Sequence, residues 1–179
     1  MSAPLKPDGD GLELVRLGAL PWRGWLELTG RDPAAFGAAS AGLVYRDKEH
    51  HLVLRAPGGG FVGAIGLTLA EVSVGDERFS AVGMGSLIVR RDLRGRGLSG
   101  RLSAAARALA AGLGPDRAML FCEPSLVALH ASRGYAPIDA PVFVDQPSGR
   151  IAMPLPAMWR PIRPCEWPGG RVDVDGLPF

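Results

Sequence analysis

The stretch GSLIVRRDLRGRGLSG, residues 85–100, joins three local patterns. Its first five residues are mostly apolar, as in a strand, and Arg alternates with Gly over residues 94–97. An Ala- and Leu-rich run from Leu98 to about Leu113 then predicts a helix. Glycines at a strand-to-helix junction let backbone N–H groups gather around an anion, and the helix N-terminus adds about half a positive charge. We therefore expect a pyrophosphate-binding loop in this stretch.

Arginines are concentrated in and around this loop. Arg90, Arg91, Arg94, Arg96 and Arg101 fall within twelve residues, although the net charge of the whole chain is only +2. So small a net charge implies no bulk polyanionic partner such as a nucleic acid. An ordinary solvated basic face is the alternative interpretation, but the glycines among these arginines favour an anion site.

The composition is that of one globular domain. The chain has 179 residues, 47% of them hydrophobic, and its two cysteines do not make a disulfide framework, which fits a reducing cytoplasm. Cysteines and histidines are too few and too scattered for a zinc site, and no apolar run is long enough for a membrane span. We expect a flexible leader over residues 1–10 and a single domain over residues 11–179, with an extended C-terminal tail from about residue 156.

Hydrophobic periodicity predicts strands and helices in alternation. This order indicates a mixed sheet with helices on both faces. The predicted strands are residues 12–20, 51–55, 61–70 with an extension over 72–77, 79–89, 118–122, 141–144 and 151–155. The predicted helices are residues 21–30, 34–43, 98–113 and 123–133, the last of them capped by Ser125.

Three kinds of phosphate site compete for the loop. A Walker A loop requires Gly-Lys-Ser/Thr at its end, and no Lys is present here. Gly95, Gly97 and Gly100 match the dinucleotide pattern G-x-G-x-x-G, and Glu123 stands near the distance expected for a ribose-binding acid. The charged residues before Gly95 and the short chain after Glu123 argue against that nucleotide site. The third kind of site rests on a resemblance.

Two motifs resemble those of the GCN5-related N-acetyltransferases (GNAT). Residues 94–99, RGRGLS, are similar to that family's coenzyme A signature, Q/R-x-x-G-x-G/A, except that Ser99 takes the final small position and Gly100 follows it. Residues 129–135, LHASRGY, are similar to the family's late motif Leu-Tyr-x-x-x-Gly-Phe. Together with the surrounding elements, the resemblance spans about residues 12–157.

The tail carries a further likeness. Residues 165–172, CEWPGGRV, look like the Cys-Asp-Trp-x-x-Gly ending of the aminoglycoside 2′-N-acetyltransferases. In those enzymes the extreme C-terminus reaches the acceptor site. The likeness therefore points to an acceptor of the amino-sugar kind.

The resemblance implies an α/β (α+β) GNAT fold, with a mixed, mostly antiparallel central sheet and a splayed gap between two central strands. Acetyl-CoA would be the cosubstrate, without a metal. The pantetheine arm would pair with the strand at Leu87, Ile88 and Val89. The pyrophosphate would be held by the loop and the start of the helix, namely Arg94, Gly95, Arg96, Gly97, Leu98, Ser99 and Gly100. The adenosine 3′-phosphate would meet the neighbouring arginines Arg90, Arg91 and Arg101.

The resemblance also implies direct attack of a neutral amine on the thioester, which needs an acid for the thiolate and a base for the amine proton. His130 stands where the family has its general-acid Tyr, and a histidine can protonate a thiolate; otherwise it is a satisfied core histidine. The related aminoglycoside enzymes carry a Glu in the strand before the loop, where this chain has Gly85. Cys122 is either a core thiol or a residue of the gap. The candidate bases are Glu71, Glu123, Asp145 and the terminal carboxylate of Phe179.

We expect an N-acetyltransferase that transfers an acetyl group from acetyl-CoA to a primary amine of a small molecule, such as an aminoglycoside-like amino sugar. The alternatives are a catalytically silent acyl-CoA-binding or regulatory module and a protein or peptide N-acetyltransferase. Neither a nucleic acid nor a membrane is expected as a partner, and a homodimer stays open. Five acidic residues and the terminal carboxylate either attract a cationic acceptor or are ordinary surface charge; the residues are Asp139, Asp145, Glu166, Asp173 and Asp175.

Overall fold

The computed structural model describes residues 11–30, 32, 35 and 42–179. The strands over these residues are β1 (Glu13–Leu17), β2 (His50–Arg55), β3 (Phe61–Val74), β4 (Glu77–Val89), β5 (Arg117–Phe121), β6 (Ala136–Pro137), β7 (Val142–Gln146), β8 (Gly149–Ala152), β9 (Ala157–Pro161) and β10 (Val172–Val174). The helices are α1 (Trp22–Thr29), α2 (Leu98–Ala111) and α3 (Val127–Ala131), with 3₁₀ turns at Arg91–Leu93 and Pro124–Leu126. The predicted leader and most of the predicted helix over residues 34–43 lie outside the described residues. Within the described residues, no helix is both long and apolar enough to cross a bilayer.

The strands join in one sheet in the order β6-β9-β5-β4-β3-β10-β7-β8, with β2 and then β1 attached to β3. The pairs β4–β5 and β10–β7 are parallel, and the other pairs are antiparallel. β3 pairs with β4 along one edge, while its other edge holds β2 at one end and β10 at the other. The predicted mixed, mostly antiparallel sheet is therefore confirmed.

Helices cover both faces of this sheet, as the sequence predicts. α2 buries Leu98 and Leu102 in the largest core cluster, which also contains Leu54 of β2. On the opposite face, Leu28 of α1 packs in a cluster with Val53, the neighbour of Leu54 in the same strand. Successive side chains of a strand point to opposite faces, so β2 supplies both cores. Full burial of one such Leu side chain stabilises the fold by about 1.5–3 kcal/mol.

The tail, which the sequence predicts to be extended from about residue 156, adds two strands to the sheet. β9 pairs with β5 on one side and β6 on the other. β10 lies between β3 and β7, so the β7–β8 hairpin joins the sheet only through the tail among the described pairings. Both strands are short, and β10 has only three residues, so local pattern carries little signal. These segments become strands because the backbone edges of β5, β6, β3 and β7 are available to pair with them, and their own sequence does not predict it.

The predicted helix over residues 123–133 is also shorter than expected. α3 covers Val127–Ala131 and follows the 3₁₀ turn Pro124–Leu126. Ser125 lies inside that turn and no side-chain capping bond forms there, so its predicted capping role is wrong. Pro124 takes the first position of the turn, where its missing N–H costs nothing, and the chain turns once before the α-helix begins.

Arg46 holds the end of the tail against the sheet. Its guanidinium donates to the carbonyl oxygens of Leu177 at 2.7 Å and Leu69 at 3.2 Å, and also to that of Asp175. Its backbone N–H donates to the carbonyl oxygen of Pro178 at 2.8 Å. Buried carbonyl groups need such donors, so Arg46 satisfies a run of tail backbone that has no strand partner.

Phe179, which follows this run, is buried in the second core cluster. Its ring stacks on Phe121 with the ring centroids 4.9 Å apart. The ring also lies directly over Gly83 of β4, where an added Cβ would overlap it. The absence of a side chain at position 83 therefore makes the slot in which Phe179 packs.

We expect the Gly83→Ala substitution to lower the free energy of unfolding by about 1–3 kcal/mol, because the new methyl group overpacks the Phe179 slot. Urea unfolding of the two proteins measures this difference. Gly58→Ala is the matched control, because a Cβ there meets nothing within 4 Å. Combining Gly83→Ala with Phe179→Ala should remove most of the penalty; an equal cost at both glycines would contradict this packing.

Candidate active site

β4 and β5 separate in the middle of the sheet. They pair only from Ala81 to Met84 of β4, whereas the other edge of β4 stays paired with β3 as far as Val89. At the point of separation, Ser86 has a positive φ of 55° and the pairing register with β3 slips. An extra residue of this kind is a β-bulge, which bends the strand that carries it. The predicted splayed gap is therefore present.

A cavity of about 1080 Å³ follows this gap and reaches the glycine loop. Most of the predicted cofactor-binding residues line it, namely Leu87, Ile88, Val89, Arg94, Gly95, Gly97, Leu98 and Ser99. Arg96 and Gly100 do not line it. Arg96 is exposed, and the backbone N–H of Gly100 donates to the carbonyl oxygen of Gly97 at 2.9 Å inside the first helical turn.

Two glycines set the course of the loop. Gly95 and Gly97 have φ angles of 78° and 76°, a left-handed conformation that glycine adopts at little cost. Gly97 directly precedes α2, so Leu98 and Ser99 supply amides of the first helical turn, which have no acceptor within the helix. Because both residues line the cavity, this end of it suits an anion. We call Arg94, Gly95, Gly97, Leu98 and Ser99 the loop end of the cavity.

The arginines around the loop differ in what they contact. Arg94 lines the cavity, and its Nε donates to the carbonyl oxygen of Val89 at 3.1 Å. Arg90 is paired with Asp92 at 2.7 Å, and Arg101 donates to the carbonyl oxygen of Leu12 at 2.9 Å. Among the described residues, Arg94 is thus the arginine that lines the cavity itself.

Arg133 contacts the loop end of the cavity, although the sequence predicts no role for it. It donates to the hydroxyl oxygen of Ser99 at 2.7 Å and to that of Ser103 at 3.0 Å, so it ties the late motif to the start of α2. Arg133 occupies a position of the late motif at which any residue type is allowed, so the sequence gives no indication of these contacts. Burial, followed by the charge of Arg107, lowers the pKa of Arg133.

His130 lines the cavity and is buried, with 9% of its surface exposed. Burial, and then the nearby charge of Arg133, lowers its pKa below the usual value of 6.5. Its ring meets that of Tyr135 edge-on, with the ring centroids 5.9 Å apart. Tyr135 donates to Met84 Sδ at 3.0 Å, and burial raises its pKa to about 12. Near neutral pH both side chains are therefore uncharged, and each carries a proton.

Position 85, where the aminoglycoside enzymes carry a Glu, is occupied here by glycine, and Phe179 and Lys48 fill the space that a side chain would take. A Cβ added to Gly85 would lie 2.8 Å from the backbone carbonyl carbon of Phe179 and 3.1 Å from Lys48 Cε. Lys48 is buried, and burial lowers its pKa to about 8. Its Nζ donates to the carbonyl oxygen of Arg46 at 2.9 Å. A glutamate at position 85 would displace the tail.

The four candidate bases fall into two groups. Glu71 accepts a hydrogen bond from Ser80, Asp145 pairs with Arg150 at 2.7 Å, and neither carboxylate lines the cavity. Glu123 and Phe179 do line it. The structure therefore leaves Glu123 and Phe179 as the candidates next to the gap.

Glu123 has a neighbour that the sequence did not reveal. Tyr45 also lines the cavity, and its pKa is raised by burial and by the charge of Glu123. We call Tyr45, Phe121, Glu123, Leu155 and Phe179 the tail end of the cavity. Nothing in the sequence around Tyr45 marks it, because the fold alone brings it across from Glu123.

Cys122 and Ser125 lie on the same wall. Cys122 is buried, its Sγ lies 4.0 Å from Met158 Sδ, and burial raises its pKa. It is thus both a core thiol and a residue of the gap, the two options that the sequence left open. Ser125 lines the cavity with its side chain free of any capping bond.

None of the five acidic residues that the sequence singles out lines the cavity, and Asp145, Asp173 and Asp175 form surface ion pairs. Asp173 pairs with Arg150 at 2.9 Å and with Arg171 at 2.8 Å, and Asp175 pairs with Arg78 at 2.8 Å. This favours the interpretation of these groups as ordinary surface charge. Among the described residues, no three His, Cys, Asp or Glu side chains are placed to hold a metal.

Acidification should destabilise the fold below about pH 6.5, because burial lowers the pKa values of both His51 and His130. The unfolded chain binds protons first as the pH falls, so the stability present above the unfolded pKa is lost on acidification. Urea unfolding at about pH 7.5 and about pH 5.5 measures the loss. It should be smaller in His51→Gln and His130→Gln, and a fold that gains stability over this interval would contradict the expectation.

No protein-family profile matches the sequence, and a search of curated proteins finds no significant match. Solved structures do match. The GNAT family N-acetyltransferase YhbS of Escherichia coli, in complex with CoA, aligns with a TM-score of 0.62 and 19% identity over 94% of this chain and 92% of that chain. Escherichia coli ElaA aligns with a TM-score of 0.55 and 16% identity over 83% and 99% of the two chains.

A third structure covers part of a longer protein. N-acetylglutamate synthase from Neisseria gonorrhoeae, complexed with coenzyme A and N-acetyl-glutamate, aligns with a TM-score of 0.55 and 13% identity over 84% of this chain and 35% of that chain. At these identities the likenesses establish the architecture. The chain has the fold of the GNAT N-acetyltransferases, as its two sequence motifs predict.

Proposed function

We propose that the protein is an acetyl-CoA-dependent N-acetyltransferase that acts on a primary amine of a small molecule. One observation carries the proposal: the gap between β4 and β5, the glycine loop and the start of α2 all face a single cavity. A long thioester with a pyrophosphate at one end needs such a continuous groove. The complex of the similar Escherichia coli protein with CoA supports the same choice of donor.

The donor would lie along the strand and the loop. The backbone of Leu87, Ile88 and Val89 faces β5 without pairing to it in the described structure, and can pair with an amide-containing arm. The amides of the loop end and the Arg94 guanidinium would bind the pyrophosphate. Charge-assisted bonds of this kind contribute about 1.5–3 kcal/mol each.

The proposed reaction transfers the acetyl group from the sulfur of the thioester to the nitrogen of the amine. The lone pair of a neutral amine attacks the thioester carbonyl carbon, the C–N bond forms, and the C–S bond breaks with its electron pair on sulfur. The imidazolium form of His130 supplies a proton to the thiolate and becomes neutral imidazole; because burial lowers the pKa of His130, this form is the minor one near neutral pH. A carboxylate near the gap accepts the proton that the amine nitrogen loses. Glu123 and Phe179 are the candidates for that carboxylate. Products are an amide and free coenzyme A.

Arg94→Gln should raise the dissociation constant for coenzyme A about tenfold, because a charged donor to the pyrophosphate is replaced by a neutral one. Isothermal titration calorimetry measures the constant directly. Arg78→Gln is the control, since Arg78 lies on the surface in pairs with Asp175 and Glu71. Binding of NAD without binding of coenzyme A would contradict the proposed donor.

His130→Ala should lower kcat about a hundredfold while leaving coenzyme A affinity intact, because the leaving thiolate then lacks its proton donor. Thiol release from acetyl-CoA in the presence of an accepted amine measures the rate. His130→Tyr, which restores the residue type of the family's late motif, should keep more of the activity than His130→Ala. A His130→Ala rate within about twofold of the original would remove His130 from the mechanism.

A second function has an observation in its favour. A catalytically silent acyl-CoA-binding or regulatory module would need no base, and position 85 carries none. Thiol release across a panel of small amines, amino sugars and peptide N-termini separates the functions. Release with small amines supports the proposal, release with peptides alone supports a protein or peptide acetyltransferase, and coenzyme A binding without any release supports the silent module.

A further inference from the structure

The hydroxyl group of Tyr135 is buried beside a sulfur atom. Tyr135 lines the cavity with 6% of its surface exposed, and its hydroxyl donates to Met84 Sδ at 3.0 Å. A thioether sulfur is a weak acceptor, whereas the hydroxyl of a buried tyrosine usually has a strong one. The hydroxyl can therefore exchange Met84 for a better acceptor that enters the cavity, at little cost in free energy.

Met84 lies where the cavity enters the sheet. It is the last residue of β4 that pairs with β5, opposite Leu120, and the two strands separate directly after it. Both residues line the cavity. The donor proposed above has its pyrophosphate at the loop end, beyond Val89, and its arm runs back along β4 toward Met84. The sulfur at the far end of that arm would therefore lie next to the Tyr135 hydroxyl.

This inference rests on the acetyltransferase function proposed above. We propose that Tyr135 is a second catalytic residue, whose hydroxyl exchanges Met84 Sδ for the thioester sulfur of the donor. The amine nitrogen bonds to the carbonyl carbon, and the C–S bond breaks with its electron pair on sulfur. The hydroxyl donates a hydrogen bond to the thiolate that forms, and Tyr135 keeps its own proton. The proton that completes the thiol comes from the His130 imidazolium.

The groups around Tyr135 favour an anion as its partner. The guanidinium carbon of Arg160 lies 5.7 Å from the centre of the Tyr135 ring, and the charges of Arg107 and Arg133 also act on the hydroxyl. The ring of His130 meets that of Tyr135 edge-on. Burial outweighs the three positive charges and raises the pKa of Tyr135 to about 12, so the hydroxyl keeps its hydrogen near neutral pH. A neutral donor among positive charges suits a developing thiolate.

The late motif is consistent with this role. The motif that residues 129–135 resemble has Tyr at the position of His130 and Phe at the position of Tyr135. This chain carries its phenol hydroxyl at the second of these positions instead of the first. The two rings lie with their centroids 5.9 Å apart, and both residues line the cavity. The site therefore contains a phenol hydroxyl although position 130 has none.

Tyr135→Phe tests the inference, because it removes the hydroxyl and keeps the ring. The pKa of the thiol of enzyme-bound coenzyme A is measured through the ultraviolet absorbance of the thiolate. We expect this pKa to rise by about one unit in the variant, since the thiolate loses a charge-assisted hydrogen bond. With an accepted amine, kcat should fall at least about tenfold, by a factor that is constant from about pH 6.5 to about pH 9 because the hydroxyl does not titrate there.

Tyr45→Phe is the matched control. It removes the hydroxyl of the other tyrosine of the chain, which lines the tail end of the same cavity beside Glu123. The pKa of the bound thiol should be unchanged in this variant, because Tyr45 is not at the point where β4 and β5 separate. Calorimetry should find coenzyme A bound by both variants, which shows that they fold.

An unchanged thiol pKa in Tyr135→Phe would overturn the inference and leave the acetyltransferase standing. An equal rise in Tyr45→Phe would also overturn it, because the effect would then not depend on the place of the hydroxyl. Coenzyme A binding with no thiol release from any amine would overturn the proposed function, and the thiol pKa would still decide whether Tyr135 contacts the sulfur. A protein that does not bind coenzyme A would overturn both.

Discussion

The separation of β4 from β5 is the constraint on which the site depends. Parallel strands in the middle of a sheet normally stay paired along their shared length, and their backbone groups are then satisfied by each other. Here the bulge at Ser86 turns β4 away after Met84. The backbone beyond it keeps its bonds to β3 on one edge and opens a groove on the other. The groove leads to the loop because Val89 is followed by the turn that starts α2.

The C-terminal tail packs against the gap that the bulge opens between β4 and β5. β9 and β10 extend the sheet on both sides, and Arg46 binds the carbonyl groups of the last residues so that Phe179 enters the slot above Gly83. The same insertion fills the space beside Gly85. With the tail packed in this way there is no room for a glutamate on that strand, and the candidate carboxylates next to the gap are those of Glu123 and Phe179.

Charge is distributed unequally between the surface and the cavity. On the surface, arginines and carboxylates meet in exposed pairs such as Arg78 with Asp175, which contribute little to stability because water and salt screen them. Along the cavity, Arg94 is exposed at the loop end and Glu123 is half-buried at the tail end. Among the described residues, few charged side chains line the gap, whereas most lie on the surface.

The sequence by itself determined the strand, the glycine loop and α2, because these depend on local periodicity and on glycines that adopt positive φ angles at Gly95 and Gly97. It also determined the late motif with His130, since both motifs are contiguous in the chain. Only the tertiary structure decided that the tail forms strands, that Arg133 holds Ser99, and that Tyr45 lies near Glu123 in one cavity. These contacts join segments far apart in the chain, and backbone edges and packing in three dimensions select them, so no local pattern could encode them.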